Sequence, residues 1–212
     1  MAKYGTAIWI TLLAAISLFL AIPSTREVFE NVTKMHPYIM GFVKFALLST
    51  MGEFLALRLV TKEWRAVKGV FAKMFVWGIL GIMIVAMFAI FTAGVNGAIS
   101  KGLLWAGEPS FFSRLLTAFY ISAIMNLTFA PVFMASHRIS DTWIETRENI
   151  GVIISKTDWG TFIKFVVGKT IPFFWIPAHT ITFMLPDQYR VLFAASLSIV
   201  LGLILSYAKL RK

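Results

Sequence analysis

Long apolar stretches, separated by short polar connectors, make up most of this chain. There are six of them, at residues 6–22, 38–60, 74–99, 111–136, 161–185 and 190–208. A helix needs about 20 mostly apolar residues to cross a bilayer. Backbone groups without partners are costly in lipid, so such segments cross it as helices rather than as irregular chain. We therefore predict an all-α fold, a polytopic membrane helix bundle of about six transmembrane helices.

Composition excludes several other classes of protein. The chain is 58% hydrophobic and 14% charged, whereas a soluble domain carries roughly 25% charged residues. Its net charge is +10, but it has no aromatic-basic motif of the kind that recognises nucleic acid, so we expect no nucleic-acid partner. It contains no cysteine, which excludes disulfides, thiolate zinc sites and a cysteine nucleophile.

The distribution of lysine and arginine predicts the orientation of the bundle. With the N-terminus inside, the inner connectors hold eleven basic residues and the outer connectors hold four. Inner connectors of membrane proteins are the ones enriched in lysine and arginine. Both termini are therefore expected in the cytoplasm, with residues 1–212 forming a single membrane domain. Segment 6–22 resembles a signal peptide, but no A-x-A cleavage site follows it, which favours a retained first helix.

Glu53 is the one acidic residue that lies inside an apolar segment; the other nine lie in connectors. A carboxylate at bilayer depth costs a few kcal/mol, so it usually has a partner or faces water. Lys44 lies about 180° away around the same helix and cannot be that partner. Gly52 and Glu53 share a narrow face suited to another helix or to water. Glu53 is thus either a packing residue paired across helices or a pore-lining or proton-sensing residue.

The fourth segment contains Asn126 and Pro131. A proline inside a helix removes a backbone hydrogen bond and usually kinks the helix. The alternatives here are a plain kink and the wall of a cavity. The connector that follows carries Thr142 and Glu145 at the spacing of a capping box, which predicts a short interfacial helix.

The fifth segment is the least regular, because Pro172 and Pro177 interrupt it and Lys169 and His179 add polarity. Broken helices at membrane depth are tolerated where they line a cavity or are covered by protein. This segment is therefore the best candidate for the wall of a solute path. His179 is either a hydrogen-bonded packing residue or a pore or pH-sensing residue.

A stripe of small residues runs along the third segment, with Ala89, Ala93 and Gly97 spaced four apart. Such stripes let helices approach closely. Packing within the chain and a homo-oligomer interface are the two alternatives. Neither a nucleophile elbow, a phosphate loop nor HExxH is present, and the three histidines lack the spacing of metal ligands. We therefore expect no enzyme activity, no metal and no cofactor.

Three stretches resemble the Mpv-seventeen and twenty-two-kilodalton peroxisomal membrane protein family, and one of them, Phe129, Ala130 and Pro131, matches its F-x-P run. His36, Pro37, Gly52 and Glu53 match its opening H-P and its G-D motif, with Glu for Asp, while Leu57 takes the place of the following Gln. Near the end of the chain, residues similar to the family signature W-P-x-x-Q-x-x-N-F-x-x-V-P-x-x-x-R fall in order; they are Trp175, Phe183, Pro186 and Arg190.

The resemblance covers about residues 36–212, so helix 6–22 is an extra element. It implies a four-helix membrane core and a small-solute or metabolite channel, in mitochondrial inner or peroxisomal membranes for eukaryotic members. The start MAKYGTAIWI lacks the composition of a transit peptide. We therefore expect a prokaryotic cytoplasmic membrane, with a mitochondrial inner or peroxisomal membrane as the alternative.

Together these observations predict a channel or weakly selective pore for small anionic or neutral solutes. Its partners would be the lipid bilayer and those solutes. The alternative is a non-transporting membrane scaffold or assembly protein. The residues expected to line the path are Glu53, Asn126, Lys169 and His179, and those expected to shape its helices are Gly52, Pro131, Pro172 and Pro177.

Overall fold

A computed structural model describes the backbone of residues 4–210 and the side chains of residues 4–204. Throughout this part of the chain the regular structure is helical. The elements are α1 (Gly5–Ala21), α2 (Pro23–Met35), α3 (Pro37–Thr61), α4 (Val70–Ser100), α5 (Phe111–Thr128), α6 (Ala130–Thr146), α7 (Ile150–Lys156), α8 (Trp159–Thr161), the π-helix π1 (Phe162–Trp175), α9 (Ile176–Met184) and α10 (Asp187–Leu210).

Four helices in the described part are long and apolar enough to cross a membrane, namely α3, α4, α5 and α10. The number becomes five if α1 and α2, which meet at 89°, form one bent span. The all-helical bundle with several membrane-compatible helices is therefore confirmed. A count of six spans stays a prediction.

Local sequence signals explain where the helices begin. Pro23 and Pro37 open α2 and α3, because proline fits the first helical turn, where its missing N–H costs nothing. The side chain of Ser110 accepts from the N–H of Ser113 at 3.1 Å and caps α5. Asn149 caps α7 in the same way.

The prediction of a capping box at Thr142 is wrong. Thr142 lies inside α6, and its hydroxyl donates back to the carbonyl of Arg138 at 2.9 Å. A threonine hydroxyl that donates to the carbonyl four residues earlier belongs to the interior of a helix, not to its start. The short helix of this region is α7, which begins after Arg147 adopts a left-handed conformation and ends α6.

The chain divides into two units. The first contains the described residues up to Ile82 and from Val191 onwards, and the second is Met83–Arg190. In the first unit α3 is the central helix. The indole of Trp9 on α1 donates to the Met51 carbonyl at 3.0 Å, and the ring of Phe45 stacks on Trp77 of α4 at 6.5 Å.

In the second unit the main packing is between α5 and α9. The core there includes Ile121 and Met125 of α5 and Phe183 of α9, all buried. The guanidinium of Arg190 donates to the carbonyl of Phe183, in the last turn of α9, and to that of Leu185, directly after α9.

Candidate functional site

Glu53 lies on α3 and is paired with two side chains of α4. The indole Nε1 of Trp77 donates to Glu53 Oε1 at 2.6 Å. Lys73 Nζ lies 3.9 Å from Glu53 Oε2, and the Lys73 side chain is only 6% exposed, against 23% for Glu53. The partner on another helix that the sequence required is therefore present. The sequence argument missed Lys73 because it placed this residue in a connector, although Lys73 and Trp77 are one helical turn apart and share a face.

Lys44, as expected, is engaged elsewhere. Its Nζ donates to Thr33 Oγ1 on α2 at 3.0 Å and lies 4.5 Å from the centroid of the Phe29 ring. A cation over an aromatic face is stabilised by the ring quadrupole. Lys44 therefore joins α2 to α3.

Gly52 lies where α3 crosses α10. A Cβ at Gly52 would come within 3.0 Å of the Ser198 carbonyl carbon and 3.1 Å of the Ile199 nitrogen. A Cβ at Gly202 would lie 3.2 Å from the Gly52 carbonyl oxygen. Both glycines thus permit a backbone approach that a larger residue would prevent. Ser49, one turn before Glu53, is buried and its hydroxyl has no hydrogen-bond partner among the described residues.

In the second unit, buried polar groups tie α5 to α9. Ser122 Oγ donates to the Ile176 carbonyl at 2.7 Å. Asn126 Nδ2 donates to the Ser122 carbonyl at 2.8 Å and lies 3.3 Å from Ser122 Oγ. Thr180 Oγ1 also donates to the Ile176 carbonyl, at 2.8 Å. Asn126 is therefore a buried member of a hydrogen-bonded helix contact.

We expect Ser122→Ala to lower the stability of the protein by about 1 kcal/mol, the usual net value of one hydrogen bond. The change removes the donor to Ile176 and an acceptor near Asn126. Thermal unfolding in detergent would measure it. Ser100→Ala is the control, because that exposed hydroxyl donates only to Gly97 of its own helix; equal melting temperatures for the two variants would contradict the prediction.

The fifth predicted segment is a continuous helix whose hydrogen-bond register changes. Pro172 lies inside π1, and Pro177 lies in the first turn of α9. The change from π to α falls between the two prolines, at Trp175 and Ile176. The expected interruptions therefore take the form of a register shift, because each proline lacks the N–H that would hold one register throughout. π-Helical turns are rare and are often found at functional sites.

His179 is buried beside this register change. Its ring stacks on the indole of Trp175, with centroids 5.4 Å apart and planes at 17°, and the edge of Phe88 meets it at 5.7 Å. Thr182 Oγ1 lies 3.5 Å from His179 Nδ1. The indole Nε1 of Trp175 is buried and has no hydrogen-bond partner among the described residues. Sequence reasoning singled out His179 but not this donor.

The remaining predicted residues are Lys169, Pro131 and the small residues of α4. Lys169 is on π1 with an exposed side chain. Pro131 is in the first turn of α6, directly after the break at Phe129. Ala89 and Ala93 are exposed, and a Cβ on Gly97 would meet nothing within 4 Å.

No protein-family model, curated protein or solved structure matches this chain.

Proposed function

We propose that this protein is a channel that lets small solutes cross a membrane. The observation that carries the proposal is the unpartnered, buried indole N–H of Trp175 next to the buried ring of His179. Both residues lie where a proline-containing π-helix becomes an α-helix. Irregular helices with unpaired polar groups at membrane depth are typical of segments that line a solute path.

Energetics supports this choice. A buried donor without an acceptor costs about 1–3 kcal/mol. Native proteins leave few such groups, and those that remain often belong to functional sites or bind water. The Ser49 hydroxyl, on α3 of the first unit, is a second group of this kind. If these positions only served packing, phenylalanine at position 175 and alanine at position 49 would avoid the cost of the unpaired donors.

Solute flux tests the proposal. The purified protein is reconstituted into liposomes, and the uptake of a broad panel of small metabolites is compared with protein-free vesicles. We expect passage of at least one solute class above the empty-vesicle rate. A panel that gives empty-vesicle rates throughout would refute the channel.

The second candidate is a non-transporting membrane scaffold. The observation that favours it is the pairing of Glu53 with Trp77 and Lys73, which gives this carboxylate a packing role. Glu53→Gln separates the two functions. Either protein should lose some thermal stability, because the change removes the charge opposite Lys73, but only a channel lined by Glu53 should also change its selectivity or its pH dependence.

For the membrane arrangement we propose six crossings with both termini in the cytoplasm of a prokaryotic cell. The lysine and arginine bias supports it; of the residues that create this bias, Lys3, Arg211 and Lys212 lie outside the described part of the chain. Reporter fusions after residue 66 and at the C-terminus should give the same cytoplasmic signal. Signals from opposite sides would refute this topology.

We also propose a homo-oligomer that packs through Ala89, Ala93 and Gly97. The exposure of the two alanines and the open space at Gly97 support a role outside the monomer. Native mass spectrometry should show the wild-type oligomer dissociate on Gly97→Leu, and an unchanged mass would exclude this face.

A further inference from the structure

The polar atoms around Trp175 and His179 have defined hydrogen-bonding roles. Thr182 Oγ1 donates its one proton to the Ala178 carbonyl at 3.0 Å. The Thr182 oxygen can then only accept, and it lies 3.5 Å from His179 Nδ1. We assign the proton of the neutral imidazole to Nδ1 on this contact, which leaves Nε2 as an acceptor.

Trp175 supplies the complementary group. An indole Nε1–H can only donate, and this one is buried without an acceptor in the part of the chain that the structure describes. Its ring is stacked nearly parallel on the His179 ring. Among the described residues, His179 makes no hydrogen bond besides that with Thr182. One free donor and one free acceptor are thus held on two stacked rings.

Apart from Thr182, the side chains in contact with the two rings are aromatic. Phe88 contacts the His179 ring edge-on, and Phe174 contacts the Trp175 ring. Phe183 packs on Phe88 at 4.8 Å. Arg190 lies over the Phe183 ring and is neutralised by Asp187, whose carboxylate is 2.7 Å away. An ion at the pair would lose its hydration without gaining an opposite charge, which is strongly unfavourable.

We propose that the Trp175–His179 pair selects a small neutral solute that both donates and accepts hydrogen bonds, such as a polyol or an amide, and excludes ions. The proposal rests on the proposed channel function and names its solute class. The solute's acceptor receives the indole N–H, and its donor is received by His179 Nε2. Two hydrogen bonds at the pair replace those that a neutral solute loses on leaving water. A charged solute also loses the hydration of its charge, and the pair offers no opposite charge in its place.

Vesicle permeation measured by stopped-flow light scattering tests the selection. Glycerol and urea are the neutral probes, and potassium and chloride are the charged ones. We expect glycerol and urea to enter protein-containing vesicles faster than empty ones, with no gain for the ions. Trp175→Phe keeps an aromatic ring and removes the donor, and should slow glycerol and urea by about fivefold, the factor that corresponds to one neutral hydrogen bond.

A control variant and a stability measurement accompany the permeation experiment. Trp105→Phe is the matched control, because Trp105 is 67% exposed, and it should permeate like wild type. Trp175→Phe should still fold, because phenylalanine keeps an aromatic ring beside His179, and a cooperative thermal transition in detergent would show that slower flux does not reflect misfolding. Passage of ions instead of glycerol and urea, or equal glycerol and urea rates for Trp175→Phe and wild type, would overturn the selection and leave the channel standing. Empty-vesicle rates for every solute tried would overturn both.

Discussion

Glu53→Leu is expected to destabilise the protein by about 3 kcal/mol or more. The change removes the carboxylate that lies 3.9 Å from the buried ammonium of Lys73 and that accepts from Trp77. Removing one partner of a buried ion pair typically costs 3–5 kcal/mol, because the remaining charge stays buried. The melting temperature in detergent would measure the loss.

Two variants accompany this measurement. Glu63→Leu is the control, since Glu63 and its partner Arg65 are both about 60% exposed and exposed pairs contribute little. In the double variant Glu53→Leu with Lys73→Met, both charges are gone, and much of the lost stability should return. A Glu53→Leu protein that melts like wild type would show that the carboxylate is incidental to the fold.

Gly52→Leu is expected to prevent α3 from packing on α10. Even a methyl group at Gly52 would come within 3.1 Å of backbone atoms of Ser198 and Ile199, and backbone cannot rotate away as a side chain can. Overpacking of this kind usually costs 1–3 kcal/mol, and a leucine against backbone should reach at least the upper end. Gly52→Ala should give a smaller loss in the same direction.

Gly94→Ala is the control for this pair. A Cβ at Gly94 meets nothing within 4 Å, and alanine is favoured over glycine inside a helix by about 1 kcal/mol. Gly94→Ala should therefore match or exceed the wild-type melting temperature. If Gly52→Ala also matched or exceeded the wild-type melting temperature, the close approach of α3 and α10 would be wrong.

The apolar segments predicted the positions of the main helices well. Segment 38–60 became Pro37–Thr61, and segment 190–208 lies within Asp187–Leu210. A proline in the first turn gave α3 a clear start. Segment 74–99 began too late, because a count of apolar residues excludes Lys73. This residue belongs to α4, and its side chain is buried.

The polar contacts were harder to predict. Sequence showed that Glu53 needs a partner and that Lys44 cannot be it, but the choice of Lys73 depends on which helices become neighbours. Gly52 and Ser198 are far apart in the chain, so no local pattern connects them. The π-helical hydrogen-bond pattern around Pro172 could not be predicted either. A proline shows that an α-helical hydrogen bond is missing, but not which hydrogen-bond pattern the chain adopts instead.

The length of α4 has a consequence for the membranes that suit this protein. Its 31 residues extend about 46 Å, well beyond a hydrocarbon core of about 30 Å. Lys73 is in the first turn of this helix, so the ion pair with Glu53 lies near the head groups when the helix is centred. A thicker bilayer would draw the pair into hydrocarbon, and a thinner one would leave it wet. The thickness of the host membrane should therefore tune how much this pair contributes to stability.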